Sequence, residues 1–243
     1  YTRPSEERSL GTIPRPRRGG RGTPPPDDPY FYGMRECLQV GADGKEHFVS
    51  IPLTEEDVLH PLEGDHISEN TPHGKDCHYL SGTFDFQLVG VPGAVRLANC
   101  QVDLGLPGVR PVAPDVAVGL NVRTAGPWST FSVVDEGATL ALVVEVTSPS
   151  TRRNELEVKP PLYWRAGVQC YVIIDQVSMR GGVRQLRLLA FERGSRRWRR
   201  MRLRRGRVWL EVVRLWLGVR DGRAVCWDAT GRELLPYAEA VTA

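Results

Sequence analysis

Glu145 closes the apolar run ATLALVVEV, and Lys159 follows fourteen residues later, one of only three lysines in a chain with 29 arginines. A second acid, Asp115, stands directly after Pro114 at the head of another apolar run, DVAVGLNV. Two carboxylates and one ammonium suit the metal-assisted hydrolysis of a phosphodiester. Such a reaction needs a divalent cation to offset phosphate charge and to lower the pKa of an attacking water, and a group that orients that water. Mg²⁺ prefers oxygen ligands and usually takes one or two carboxylates together with waters and substrate oxygens. Asp115, at the start of one strand, and Glu145, at the end of a neighbouring one, are the expected ligands, with the backbone carbonyl of Val146 as a third oxygen. Lys159 then acts as a point charge that holds the water or the phosphate. A glutamate buried at the end of an apolar strand needs such a partner, because an unpaired buried charge is strongly unfavourable.

The elements that must position these groups are legible as alternating and periodic runs. HFVSIPLTEEDVLHP reads as a short strand, then Thr54 as N-cap of a helix with acids in its first turn, ended by Pro61. TPHGKDCHYLSGTFDFQLVG spaces Tyr79, Leu80, Phe84 and Leu88 as the apolar side of a second helix. AVRLANCQVDLG alternates like one strand, and LGLPGVRPVAP turns the chain into DVAVGLNV. Residues 123–137 have loop composition and are expected as an insertion near the rim of the sheet. ATLALVVEV is apolar on successive positions, the mark of a strand covered on both faces. A short helical piece around Leu162 to Ala166 is expected after the Ser-Pro-Ser-Thr turn, with Gly167 as its C-cap, and then the strand CYVIID. VRQLRLLAF, RRWRRMRL and RVWLEV read as an antiparallel meander with arginines facing water. The tail from Leu215 reads as a hairpin turned at Asp221 and Gly222, then a final short helix. Helices before and within a mixed central sheet place the chain in the α/β (α+β) class, extended by a C-terminal antiparallel meander.

Bulk properties narrow the setting. The 243 residues suffice for one sizeable core. Residues 1–29 are rich in Pro, Gly and Arg with almost no large apolar side chains, so a flexible tail is expected there and a single domain over 30–243. No apolar run is long enough to span a bilayer, and no secretory leader pattern is present, so a cytoplasmic setting is expected. The five cysteines are scattered and form no C-x-x-C pair, which points to reduced thiols rather than to disulfides or a structural zinc. Net charge is only +3, yet twelve arginines against the single acid Glu192 fall between Arg180 and Arg207. Such a block is the electrostatic footprint expected for a polyanion, with the solvated face of a hairpin as the plain alternative.

Taken together, Pro114–Asp115, EVTSPST from Glu145 to Thr151, Lys159, Tyr163, Ala166–Val168 and YVIID ending at Asp175 resemble the PD-(D/E)XK nuclease superfamily. Within it they resemble the Uma-two branch of restriction-endonuclease-like proteins, known mainly from bacteria. The resemblance runs from Tyr30 into the C-terminal region and is sharpest from Pro114 to Asp175. It implies a restriction-endonuclease-like mixed central sheet flanked by helices. It implies a DNA-cleaving hydrolase that uses Mg²⁺, for which Mn²⁺ substitutes, with Asp115 and Glu145 as metal ligands and Lys159 completing the site. In this branch the lysine sits in the following helix rather than two residues after the second acid. The chain agrees, with Thr147 two after Glu145 and Lys159 further on.

The resemblance also implies a further acid or histidine from the early helix, for which ISENTPHGKD offers Glu69 and His73 ahead of Asp76. Two departures stand out. Glu155 occupies a position that is usually Asp in the branch, and Pro160 and Pro161 follow Lys159 directly. Proline disfavours the α conformation at the residue before it, so the helix is expected to begin at Pro160 or Pro161 with Lys159 at its cap. That departure motivates the alternative reading, a nucleic-acid-binding or oligomeric interaction module on the same fold with impaired catalysis. Ser148 and Ser150 lack a nucleophile elbow and are expected to cap the next helix. Asp175, ending a strand at the edge of the presumed site, is expected either to support the site residues from behind or to be structural. DNA is the expected partner through the Arg180 to Arg207 block, and exposed strand edges make a homodimer the expected assembly.

Overall fold

The structure is a computed structural model describing residues 33–40, 44, 46–62, 65–67, 71–98, 100–148 and 151–236. The expected tail over 1–29, the candidate Glu69 and the capping residue Ser150 lie outside the described residues. The chain begins with a hairpin of β1 (Gly33–Val40) and β2 (Glu46–Pro52). Thr54 then caps α1 (Glu55–Leu59) through a reciprocal pair with Asp57, as its position predicts. β3 (Asp65–Ile67) returns to β1 and completes a three-stranded sheet. α2 (Thr71–Leu88) is the helix read from the apolar spacing, and its Leu80 and Phe84 are fully buried.

AVRLANCQVDLG is not one strand. β4 (Val95–Leu97) joins the central sheet, whereas β5 (Gln101–Asp103) leaves it. The cause is a slip in the alternation: Leu97 is buried, and the next buried positions are Cys100, Val102 and Leu104. A strand with period two cannot keep odd and then even positions on one face. β6 (Val116–Leu120) is the run after Asp115. The expected loop over 123–137 carries β7 (Thr130–Ser132), which pairs in parallel with β5.

β8 (Thr139–Val146) is the strand covered on both faces. A helical run opens at Arg152, passes through a π-helical turn (Asn154–Val158) and continues as α3 (Lys159–Arg165). β9 (Cys170–Arg180) and β10 (Val183–Arg193) form a long hairpin, followed by β11 (Trp198–Arg200) and β12 (Arg207–Leu210). β13 (Leu215–Arg220) and β14 (Arg223–Trp227) are joined at Asp221 and Gly222, whose φ angles of 52° and 71° suit the twist of a two-residue hairpin loop. Glu233 and Leu234 pair with β14 as β15 (Glu233–Leu234), and no final helix follows among the described residues, which end at Pro236.

The central sheet has the order β11-β10-β9-β8-β6-β4 and is mixed, with β8 and β9 parallel and the other pairs antiparallel. A parallel pair needs a crossover of helix length, supplied here by the run from Arg152 to Arg165. One face of the sheet, with Val116, Leu142, Val144 and Val146, packs against α2 and the four-stranded sheet β12-β13-β14-β15. The other face, with Ala117, Leu140 and Val143, packs against Tyr163 of α3 and Val102 and Phe131 of the β5–β7 ribbon. No helix among the described residues is long and apolar enough to cross a membrane.

Candidate active site

The antiparallel register pairs Val116 with Val144, so one further step of the ladder sets Asp115 opposite Glu145. Two bonds fix this corner. The Asp115 amide donates to Glu145 Oε2 at 3.2 Å, and the Val146 amide donates to Asp115 Oδ2 at 2.7 Å. Glu145 is fully buried, and its Oε1 accepts from Lys159 Nζ at 3.0 Å and from the Tyr163 hydroxyl at 2.6 Å. Each carboxylate oxygen has two lone pairs. Oε1 is therefore filled, while Oε2 retains one for a further ligand.

Lys159, 4% exposed, reaches Glu145 from α3. Its Nζ also donates to the carbonyl of Ala113 at 3.1 Å and to Glu155 Oε1 at 3.4 Å. The prolines do not displace it. Lys159 has φ −69° and ψ −36°, an ordinary helical conformation, and the helix does not begin at Pro160. The π-helical turn is what accommodates the prolines. Within it N–H groups bond five residues back, as Lys159 does to the Asn154 carbonyl. The next carbonyl, that of Glu155, would pair with residue 160, where proline has no N–H. The hydroxyl of Tyr171 takes that place and donates to the Glu155 carbonyl at 2.7 Å.

His73, buried near the start of α2, brings Nε2 to 3.3 Å from Asp115 Oδ2. Cys77, one turn on, has Sγ 3.8 Å from both His73 ring nitrogens. His73, Cys77 and Asp115 thus each offer a ligand atom within 4.8 Å of the others. Asp115, His73, Lys159 and Glu155 line a cleft of about 570 Å³, with Ser148 and Thr151 along its wall. Ser148 and Thr151 exchange bonds at the start of the following helix, the capping role expected of Ser148.

Three carboxyl groups therefore surround one ammonium. Burial pushes Glu155 up to about 8, beyond what the nearby Lys159 offsets. Burial likewise raises Glu145, against the pull of Lys159. Asp115 is raised by burial too, but His73, Lys159 and the Val146 amide outweigh this and hold it below the usual carboxylate range. Burial opposes the charge on Lys159, yet Glu145, Glu155 and Asp115 more than restore it. Glu155 Oε2 is buried with no hydrogen-bond partner, an orphaned polar atom beside the cleft. An orphaned acceptor, a surplus of carboxyls and a His–Cys–Asp cluster fit a divalent cation.

Of the residues singled out in the sequence, Asp115, Glu145, Lys159, His73 and the backbone of Val146 meet at this one corner. Asp76 does not join them; its carboxylate binds Arg184 at 2.6 Å and the Ala224 amide at 2.9 Å. Asp175 is structural, with Arg152 and Arg187 closing on it at 2.7 and 2.5 Å. Cys77 and Tyr163 were not picked out for the roles they occupy. The available signal was spacing: Cys77 is four after His73, and Glu155, Lys159 and Tyr163 follow one another at intervals of four, the same face of a helix.

The mixed sheet thus carries two acids at the ends of its central strands, with a lysine from the crossover helix against them. The family model for Uma2, described as "Putative restriction endonuclease", matches residues 47–220, well over half of the chain, and the chain belongs to this family. Among solved structures it is similar to a protein from Anabaena variabilis described as a "putative nuclease belonging to DUF820". That likeness has 11% identity, covers 58% of this chain and 74% of the other, and has a TM-score of 0.42. No curated protein matches the chain.

Proposed function

We propose that this chain is a metal-dependent endonuclease that hydrolyses DNA phosphodiester bonds with a metal-activated water, in the cleft lined by Asp115, Lys159 and His73, with Glu145 buried directly behind it. The observation that carries this reading is the gathering of three carboxyls around one ammonium, Asp115 and Glu155 in the cleft wall and Glu145 buried behind it, together with Glu155 Oε2, which has no hydrogen-bond partner among the described residues. Asp115, the second lone pair of Glu145 Oε2 and the Val146 carbonyl make an oxygen-rich set suited to Mg²⁺. The His73 imidazole beside Asp115 suits Mn²⁺ better, so Mn²⁺ is expected to support cleavage at least as well. When bound, such an ion offsets phosphate charge and lowers the pKa of its water.

The remaining steps belong to the protein. Asp115 is held ionised and aligned by the Val146 amide. Lys159 has three N–H donors and three acceptors, of which Glu155 at 3.4 Å is the longest and most readily exchanged. A substrate phosphate oxygen replaces Glu155 there, so that Lys159 neutralises charge developing on the reacting phosphate. Since Lys159 keeps its helical position, the departure that motivated a module without catalysis loses its basis.

The arginine block takes part selectively. Arg184 and Arg187 are bound to Asp76 and Asp175. Arg196, Arg197, Arg200, Arg202, Arg204 and Arg205 are exposed and form no ion pair among the described residues, and these are assigned to the DNA backbone. A homodimer is part of the proposal, supported by an exposed apolar stripe of Leu38, Val40 and Phe48 on the β1–β2 hairpin, where Leu38 lies opposite Phe48. Light scattering that returns the monomer mass would remove that part.

Supercoiled plasmid and a structured RNA, each incubated with the protein and Mg²⁺ or Mn²⁺, test the main claim. Nicking of the plasmid that stops with chelator is expected. Chelator-resistant cleavage, or cleavage of the RNA alone, contradicts it.

A further inference from the structure

The opening turns of α2 have a second flank. There α2, the start of β10 and the turn at Asp221–Gly222 enclose a pocket of about 870 Å³, whose lining includes neither Asp115 nor Lys159. Arg184 lines it and is only 5% exposed. Its Nη1 donates to Asp76 Oδ2 at 2.6 Å and its Nε to Gln176 Oε1 at 2.8 Å, while Nη2 has no acceptor among the described residues. Asp76 Oδ1 accepts from the Ala224 amide at 2.9 Å, and Nη2 bonds neither Asp76 oxygen. The bonds to Asp76 and Gln176 fix the guanidinium plane.

The surroundings repeat the same sign. α2 has no acid in its first turn, and the amides there carry the positive end of the helix dipole. Lys75 and His78 are exposed at the rim, while Arg223, also in the lining, is tied to Glu233 at 3.0 Å. Gly222, at φ 71°, lets the turn lie close against Arg184, since a Cβ there would meet the Arg184 carbonyl at 3.1 Å. A buried donor without an acceptor, set in a cationic pocket at a helix start, calls for an anion.

We propose that this pocket is a second anion site that takes a phosphoryl group, with Arg184 Nη2 as the buried donor and Lys75 as the charge at the mouth. The group can come from a strand of nucleic acid or from a free nucleotide. The site stands apart from the nuclease reading, because it needs no metal.

Calorimetric titration of the full chain in chelator, at constant ionic strength, tests it with three probes: inorganic phosphate, deoxyadenosine 5′-monophosphate and a short DNA oligonucleotide with hydroxyl ends. Saturable binding of at least one probe is expected. Preference for the monoesters identifies a free nucleotide or strand end, and preference for the oligonucleotide identifies a strand. Lys75→Glu, an exposed change, should weaken that binding about tenfold or more. Arg184→Lys, which keeps a cation beside Asp76 but loses the fork, should do the same. If Arg184→Lys fails to fold, Lys75→Glu decides alone. No saturable binding of any probe, or undiminished binding by folded Lys75→Glu, overturns the proposal. Cleavage is silent in chelator, so neither result depends on the plasmid assay.

Discussion

Glu145 is the residue on which the site turns: a carboxylate at zero exposure, held by an ammonium, a phenol and an amide. Hydrogen bonds to a buried charge contribute about 1.5–3 kcal/mol each. Tyr163→Phe removes one at 2.6 Å, and urea denaturation should show a loss of that order. An unchanged midpoint would mean that the phenol is dispensable. Glu155 gives a prediction with a pH sign. Its folded pKa is raised to about 8 from 4.5, so between those values the unfolded chain has released a proton that the folded chain still binds. Stability therefore falls as pH rises through that window and is unaffected by this group below it. Glu155→Gln has no such proton to hold. It should match the wild type's pH dependence below the window and gain on it by up to about 1.4 kcal/mol per pH unit inside it. Parallel stability profiles from pH 4 to 8 would contradict the buried, proton-bearing state. At this scale the sequence was legible in Asp115, Glu145 and Lys159, because a proline-linked acid, a strand-ending acid and a rare lysine each stand out from their surroundings. The oxygens that fill Lys159 were not, because Glu155 looks like an ordinary surface acid until its helix is known to pass under the sheet.

The elements were legible where one physical rule acted alone. α2 follows from apolar spacing, β8 from burial on both faces, and the β13–β14 turn from Asp221–Gly222. They were misread where two rules competed. The pattern AVRLANCQVDLG hides a one-residue slip that divides it between two sheets, and the prolines after Lys159 suggest a break where a π-helical turn absorbs them. Proline's local preference is real, but Tyr171 satisfies the carbonyl that proline leaves open. Tyr171→Phe should therefore be destabilised by about 1–3 kcal/mol, since it strands a buried acceptor. In a Pro160→Ala background an N–H is available for that carbonyl, and the same substitution should be milder. Equal penalties in the two backgrounds, read from a double-mutant cycle, would refute the account of the turn.

At the scale of the whole molecule, the cleft and the cationic edge occupy different parts of one sheet. β11 stands three strands from β8, roughly 14 Å at the usual strand spacing, or about four base steps of duplex. Composition revealed the surplus of arginine but not its division, because only the fold shows that Arg184, Arg187 and Arg199 are bound to acids while Arg196, Arg197, Arg200, Arg202, Arg204 and Arg205 form no ion pair among the described residues. Replacing Arg196, Arg197, Arg200 and Arg202 with Gln should flatten the salt dependence of DNA binding by about one unit of log–log slope per lost phosphate contact. Single-turnover cleavage at saturating protein should change little, and an unaltered slope would remove these arginines from the interface. The central claim is that side chains from two strands and two helices form a single catalytic centre at one end of that sheet. It is tested most directly by single-turnover plasmid cleavage in Mn²⁺, comparing the wild type with Asp115→Asn, Glu145→Gln and Lys159→Met, each shown to be folded by circular dichroism. The account predicts metal-dependent nicking by the wild type and a loss of about a hundredfold or more in every variant; nicking at wild-type rate by folded Asp115→Asn or Lys159→Met would contradict it.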